Sequence, residues 1–173
     1  MKGPSKKLLL VIDLQNGWRH ATATEPTFLR AIDFAKQFDG DVIHCCFKND
    51  PASLFHTQIK WYRFVDPSDT DQIPEIQPLN LPIEWRTTYS CVTPSLRAKL
   101  SQYDEVYIVG VFTDISVAST AMDIFDMNIP VIVVRDCVAT LHGEAIHQAA
   151  LKSLGFAIGD KYVLSSEQIR NSL

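Results

Sequence analysis

Three side chains stand where an α/β chain could do chemistry: Asp13 at the end of KLLLVID, Arg86 in IEWR and Ser116 in FTDIS. A carboxylate can move protons, a guanidinium is a fixed cation, and a hydroxyl can attack a carbonyl once a base serves it. The three lie far apart in the chain, so they form a site only if the fold brings them together. Each alone has a plainer explanation. Asp13 could cap a turn, Arg86 could be a surface cation, and Ser116 could be an ordinary first-turn helix residue.

The elements that must position them read as strand and helix in alternation. Lys7–Asp13 is an apolar strand ending in a carboxylate, followed by the polar turn Gln15, Asn16, Gly17. Glu25–Phe38 reads as a helix with Phe28, Leu29, Ile32, Ala35 and Phe38 inward, ended by Asp39-Gly40. Asp41–Phe47 is the next strand, and Ile83–Val92 is an extended segment carrying Arg86. Thr93-Pro94 then opens a short helix. Val106–Val109 is an uncharged run suited to a strand covered on both faces, breaking at Gly110. After it Ile115, Ala118, Met122 and Phe125 recur at helical spacing, with Thr113 and Asp114 at the N-cap position. That placement leaves the N–H groups of Ile115, Ser116 and Val117 facing the strand end. Pro130–Arg135 is another buried strand, Gly143–Leu154 a helix, Lys161–Leu164 a short strand, and a last helix starts at Ser165 or Ser166.

This alternation predicts an α/β fold: a doubly wound, mostly parallel sheet with helices on both faces, as one domain over residues 1–173. Ligands of such sheets bind beyond the strand carboxyl ends where strand order reverses. The strands ending at Asp13 and Gly110 flank that point, and Arg86 leaves an adjacent strand toward the same end. Asn49–Pro82 has no sustained period and holds five prolines, so it reads as a long surface excursion. Its Phe55, Ile59, Trp61, Tyr62 and Phe64 could wall a pocket, form a subunit interface, or make a satellite core.

A formal charge of −4 and no Lys/Arg run exclude nucleic acid and anionic membrane as main partners and favour a small molecule. No apolar stretch approaches the roughly 18 residues of a membrane span, and Met1–Lys7 lacks a signal-peptide core, so the expected location is cytoplasmic. Cys45, Cys46, Cys91 and Cys137 have no metal spacing and read as reduced core thiols. His44 and His56 read as satisfied polar residues, His147 as structural, and His142 as a helix-start residue. Val117, Ala121 and Ile124 give the 115–127 helix a second apolar side, which suggests a subunit contact and a homo-oligomer.

At VIDLQN (Val11–Asn16), RTTYS (Arg86–Ser90), GVFTDISV (Gly110–Val117) and HQAALKSLGFAIG (His147–Gly159) the chain resembles the isochorismatase-like hydrolases. That family includes cysteine hydrolases acting on small amides such as nicotinamide. The resemblance covers nearly the whole chain and implies the isochorismatase-like, Rossmann-like three-layer fold. By that resemblance Asp13 stands at the acid/base aspartate, Arg86 at the family's lysine and Ser116 at its nucleophilic cysteine. It also implies a cis peptide between Val111 and Phe112 that turns the N–H groups of Phe112 and Ser116 into an oxyanion hole. Nicotinamidases carry an Asp-x-His pair after the second strand; this chain reads FKNDPAS there, so neither metal nor cofactor is expected.

The two departures alter the chemistry. Cysteine at a helix start gives a thiolate readily, whereas serine needs a base. A guanidinium cannot share protons as a lysine ammonium can. The isochorismatase branch cleaves a vinyl ether by protonation from the aspartate and does not need the cysteine. Two readings follow: a small-molecule hydrolase of an amide C–N or vinyl ether bond with altered residues, or an inactive relative that binds a small ligand or serves in assembly.

Overall fold

The computed structural model describes residues 5–19 and 25–172; the expected 1–173 domain extends past them at both ends. Six parallel strands form one sheet: β1 (Lys7–Ile12), β2 (Asp41–Phe47), β3 (Ile83–Arg86), β4 (Glu105–Val111), β5 (Val131–Ala139) and β6 (Val163–Leu164), in the order β3-β2-β1-β4-β5-β6. The chain winds outward from β1 in one direction and from β4 in the other. Strand order therefore reverses between β1 and β4, which pair in register from Lys7↔Glu105 to Ile12↔Gly110.

Two cores sandwich the sheet because β1 is apolar on both of its alternating faces. Leu9 and Val11 join Phe28, Ala31 and Ile32 of α1 (Glu25–Lys36) on one side. On the other side, Leu8, Leu10 and Ile12 pack with side chains of three helices, α4 (Pro94–Leu100), α5 (Ala118–Asp126) and α6 (Glu144–Ile158). The excursion from Asn49 holds two single-turn helices, α2 (Leu54–Thr57) and α3 (Pro67–Thr70), and α7 (Ser166–Arg170) closes the described chain. Ser165 and Gln168 form a capping box at the start of α7. Among the described residues no helix is long and apolar enough to cross a membrane.

Several expectations are corrected. The apolar sides of α5 are exchanged: Val117, Ala121 and Ile124 are fully buried within this chain, while Met122 and Phe125 are exposed. The argument for a subunit contact at Val117, Ala121 and Ile124 falls with that. Leu29 also faces outward, since α1 buries Phe28, Ala31 and Ile32 instead. β4 does not break at Gly110 but runs on to Val111. β5 continues beyond Arg135 to Ala139, because Asp136, whose carboxylate accepts from the Ser166 N–H and hydroxyl at 2.7 and 2.6 Å, lets a charge sit inside the strand. β3 ends at Arg86, and α6 reaches Ile158.

Candidate active site

Asp13 follows β1 in a left-handed conformation (φ 60°), which an aspartate tolerates better than most residues. Its N–H donates to the Cys45 carbonyl at 2.9 Å. The turn behind it is tied down by Gln15, which is wholly buried: its amide nitrogen donates to the carbonyls of Phe47 (2.8 Å) and Thr70 (2.7 Å), and its oxygen accepts from the Phe47 N–H at 2.8 Å. One side chain thus joins the ends of β1 and β2 to the excursion. Sequence reasoning treated Gln15 only as a polar turn residue.

After β4 the peptide Val111–Phe112 is cis, and Thr113–Val117 forms a single π-helical turn leading into α5. Thr113 and Asp114 do not cap it. Thr113 is buried with its hydroxyl 2.9 Å from His147 Nδ1, and Asp114 turns to His142. The Phe112 carbonyl accepts from Ile115 N (3.1 Å) and Val117 N (3.0 Å). Of the three N–H groups expected to be free, only that of Ser116 is not claimed by this carbonyl.

The structure brings Asp13, Arg86 and Ser116 into one crevice at the reversal point. Arg86 Nη2 donates to Asp13 Oδ2 and, at 3.1 Å, to Ser116 Oγ, while Nη1 donates to the Thr88 carbonyl. All three side chains are buried, and the Arg86 guanidinium also lies 5.3 Å from the centre of the Phe47 ring. Asp13 Oδ1 and Arg86 Nε have no hydrogen-bond partner among the described residues. Burial pushes the Asp13 carboxyl up to about 6; the charge and hydrogen bond of Arg86, and more weakly the Ser116 hydroxyl, oppose this without cancelling it.

These groups form the floor of a cavity of about 280 Å³ walled by Trp18, Phe47, Phe55, Trp61, Tyr89 and Phe112, with His142 at its edge. The excursion supplies Phe55, Ile59 and Trp61 to the lining, whereas Phe64 lies behind, stacked on Trp18 at 4.0 Å, and Tyr62 points to solvent. The aromatic cluster is thus part pocket wall and part core. All four cysteines are unpaired and buried, and none lines this cavity, so no thiol stands beside Ser116 in its lining.

His44, behind the floor, is fully buried. Its Nε2 accepts from the Leu14 N–H at 3.2 Å, and its Nδ1 lies 2.7 Å from the Gln72 amide nitrogen. Burial lowers its pKa to about 3. This has a measurable consequence. The unfolded chain protonates His44 below about 6.5 and the native protein does not until about 3, so this residue removes stability as pH falls through that window. Asp13 acts oppositely: its raised pKa adds stability as pH falls from about 6 toward 3.8. The two nearly cancel between about pH 4 and 6. Denaturant melts of Asp13→Asn should therefore show the His44 slope without the opposing Asp13 contribution, losing stability on acidification between about pH 6 and 4 more steeply than the natural protein by up to about 1.4 kcal/mol per pH unit. An Asp13→Asn protein whose slope matches that of the natural protein would contradict the raised Asp13 pKa.

The isochorismatase domain model matches residues 7–167. The chain belongs to the isochorismatase family. An isochorismatase-like hydrolase from Alkaliphilus metalliredigens superposes with a TM-score of 0.78 at 22% identity, covering 97% of this chain and 99% of that one. Nicotinamidase/pyrazinamidase from Bacillus subtilis gives 0.76 at 20% identity over 89% of this chain and 97% of that one. N-carbamoylsarcosine amidase from Thermoplasma acidophilum gives 0.69 at 20% identity, covering 87% and 93%. At such identities the likeness speaks to the fold, the isochorismatase-like α/β fold. A search of curated proteins finds no match.

Proposed function

We propose that this isochorismatase-family chain hydrolyses the C–N bond of a small, flat, uncharged amide, with Asp13 as the proton-transfer group and Ser116 as a hydroxyl that positions rather than attacks. The observation that supports this most directly is the Asp13 carboxyl. One oxygen is held by Arg86, the other is unpartnered in the wall of a cavity, and the group titrates near 6. A general acid or base works best when it titrates close to the working pH.

The walls argue for the substrate's character. Aromatic faces accommodate flat molecules, and the volume is just under the roughly 300–1,000 Å³ of drug-sized pockets. Arg86, the cavity's one cationic side chain among the described residues, is already committed to Asp13, which disfavours a multiply anionic vinyl ether. Names of the similar proteins, a nicotinamidase and a carbamoylsarcosine amidase, point the same way. In this reading the Phe112 and Ser116 N–H groups receive the oxyanion.

The second reading, a ligand-binding relative without turnover, is favoured by one observation. Ser116 Oγ accepts from Arg86, and the carboxylate beside it is neutralised by the same guanidinium. Assays on a panel of small amides and isochorismate decide between them. Amide turnover by the natural protein that falls at least about 100-fold in Asp13→Asn supports the hydrolase, by the usual size of acid–base effects. Activity found only in an Arg86→Lys, Ser116→Cys double variant would establish the second reading.

A further inference from the structure

A serine where a thiolate would be, hydrogen-bonded to a guanidinium, leaves the amide reaction without a base for its nucleophile. The cavity contains one candidate outside the Asp13 cluster. Asp114, on the π-helical turn two residues before Ser116, has Oδ2 2.6 Å from His142 Nδ1. Burial pushes the Asp114 carboxyl up, but hydrogen bonds from Thr140 and His142 outweigh it and hold the group below its usual range. An ionised carboxylate only accepts, so the Nδ1 proton is fixed and Nε2 carries the lone pair. Thr140 adds a second constraint, its Oγ1 lying 3.2 Å from the His142 backbone nitrogen and 3.3 Å from Nδ1. With Nδ1 occupied, Nε2 is the nitrogen left to the cavity that His142 lines, and the Phe112 ring, 5.8 Å away, braces the imidazole.

We propose that His142, oriented by Asp114, is the base that activates the attacking water, paired across the cavity with Asp13 as the acid. This inference rests on the hydrolase reading. As the water oxygen bonds to the amide carbonyl carbon, its proton passes to His142 Nε2 and the carbonyl π pair moves onto oxygen. That pair returns as the C–N bond breaks, and the departing nitrogen takes its proton from protonated Asp13. His142 then gives up its proton through solvent and Asp13 regains one. One water is consumed, and a carboxylic acid and an amine or ammonia are formed. Carboxylate, imidazole and reacting group in series is the logic of hydrolytic triads, here with water in place of a serine nucleophile. The titratable and charged groups around the imidazole are Asp114 on the π-helical turn, Glu144 and His147 at the start of α6, and Asp13, Arg86 and Tyr89 in the cavity lining. His147 is engaged by Thr113 and does not line this cavity.

The test uses the full chain with a panel of small primary amides and two readouts. His142→Gln should lower kcat at least about 100-fold with little change in KM, and the limb of the pH profile that falls toward acid should vanish. Asp114→Asn should lower kcat less and shift that limb. Thermal midpoints show whether both variants fold; that of His142→Gln should be unchanged, as expected for a side chain 44% exposed. A natural protein that turns over an amide while His142→Gln keeps its kcat within about threefold overturns the inference and leaves the hydrolase reading standing. If the natural protein turns over nothing, the hydrolase reading fails, and imidazole nitrogen NMR judges the dyad by itself. Protonated Nδ1 and bare Nε2 in the natural protein, with that preference lost in Asp114→Asn, would support an oriented acceptor; a mixture of tautomers unaffected by Asp114→Asn would overturn it.

Discussion

Replacing Arg86 by Met is expected to destabilise the protein by about 3–5 kcal/mol, and adding Asp13→Asn to it should recover most of that loss. The pair is buried, with side chains 2% and 3% exposed, so removing the cation leaves a buried carboxyl with no counter-charge and one oxygen, Oδ1, without a hydrogen-bond partner among the described residues. Breaking a buried pair from one side costs this much because of the orphaned charge rather than the lost attraction. The double variant removes the charge as well, and replacing both partners of such a pair is often nearly neutral. Chemical denaturation of the two single variants and the double variant gives the coupling directly. If Arg86→Met alone is within about 1 kcal/mol of the natural protein, Asp13 must have another partner and the site is wired differently. In Arg86→Met the Asp13 pKa should also rise further, since the strongest opposition to burial would be gone, leaving only the hydrogen bonds of Phe47 and Ser116.

The second large effect is expected at Gly110, where alanine should cost at least about 4 kcal/mol or prevent folding. A Cβ built there would lie 2.1 Å from the Ile12 carbonyl oxygen and 2.7 Å from its nitrogen, and both are backbone atoms of the neighbouring central strand that cannot rotate away. The residue's φ of 112° is also one that side chains rarely adopt. Gly110 pairs with Ile12, next to Asp13, and precedes the cis peptide by one residue, so the crevice requires the two chains to approach this closely. Soluble yield and melting of Gly110→Ala test this. A well-folded variant with near-natural stability would show that β1 and β4 can separate without losing the sheet.

Much of this architecture was legible from the sequence because its strands are unusually plain. KLLLVI and VYIVGV are buried on both faces, and such runs announce a parallel sheet whose reversal point can be located by counting elements. Asp13 and Ser116 could then be placed together. Helix α5 was read backwards for a related reason: Ile115, Ala118, Met122 and Phe125 make as good an apolar stripe as Val117, Ala121 and Ile124. Periodicity alone cannot say which of two apolar sides meets the sheet. His142 was missed because nothing local marks it. Leu141-His142-Gly143 reads as a helix entrance, and its partnership with Asp114 exists only because the π-helical turn and the end of β5 meet at one rim. Gln15 was missed likewise, since its three hydrogen bonds all reach residues more than thirty positions away.

The division of labour around the cavity has an evolutionary consequence. The floor belongs to the sheet, while a large share of the lining, Phe55, Ile59 and Trp61, belongs to the single excursion fastened by Asn49, whose amide donates to the carbonyls of Trp61 and Arg63 and whose N–H donates to that of Phe64. Selection can therefore rewrite ligand choice by exchanging one contiguous stretch of chain while the machinery beneath drifts independently. A chimera transplanting that stretch from a relative should inherit the donor's preferences as a unit.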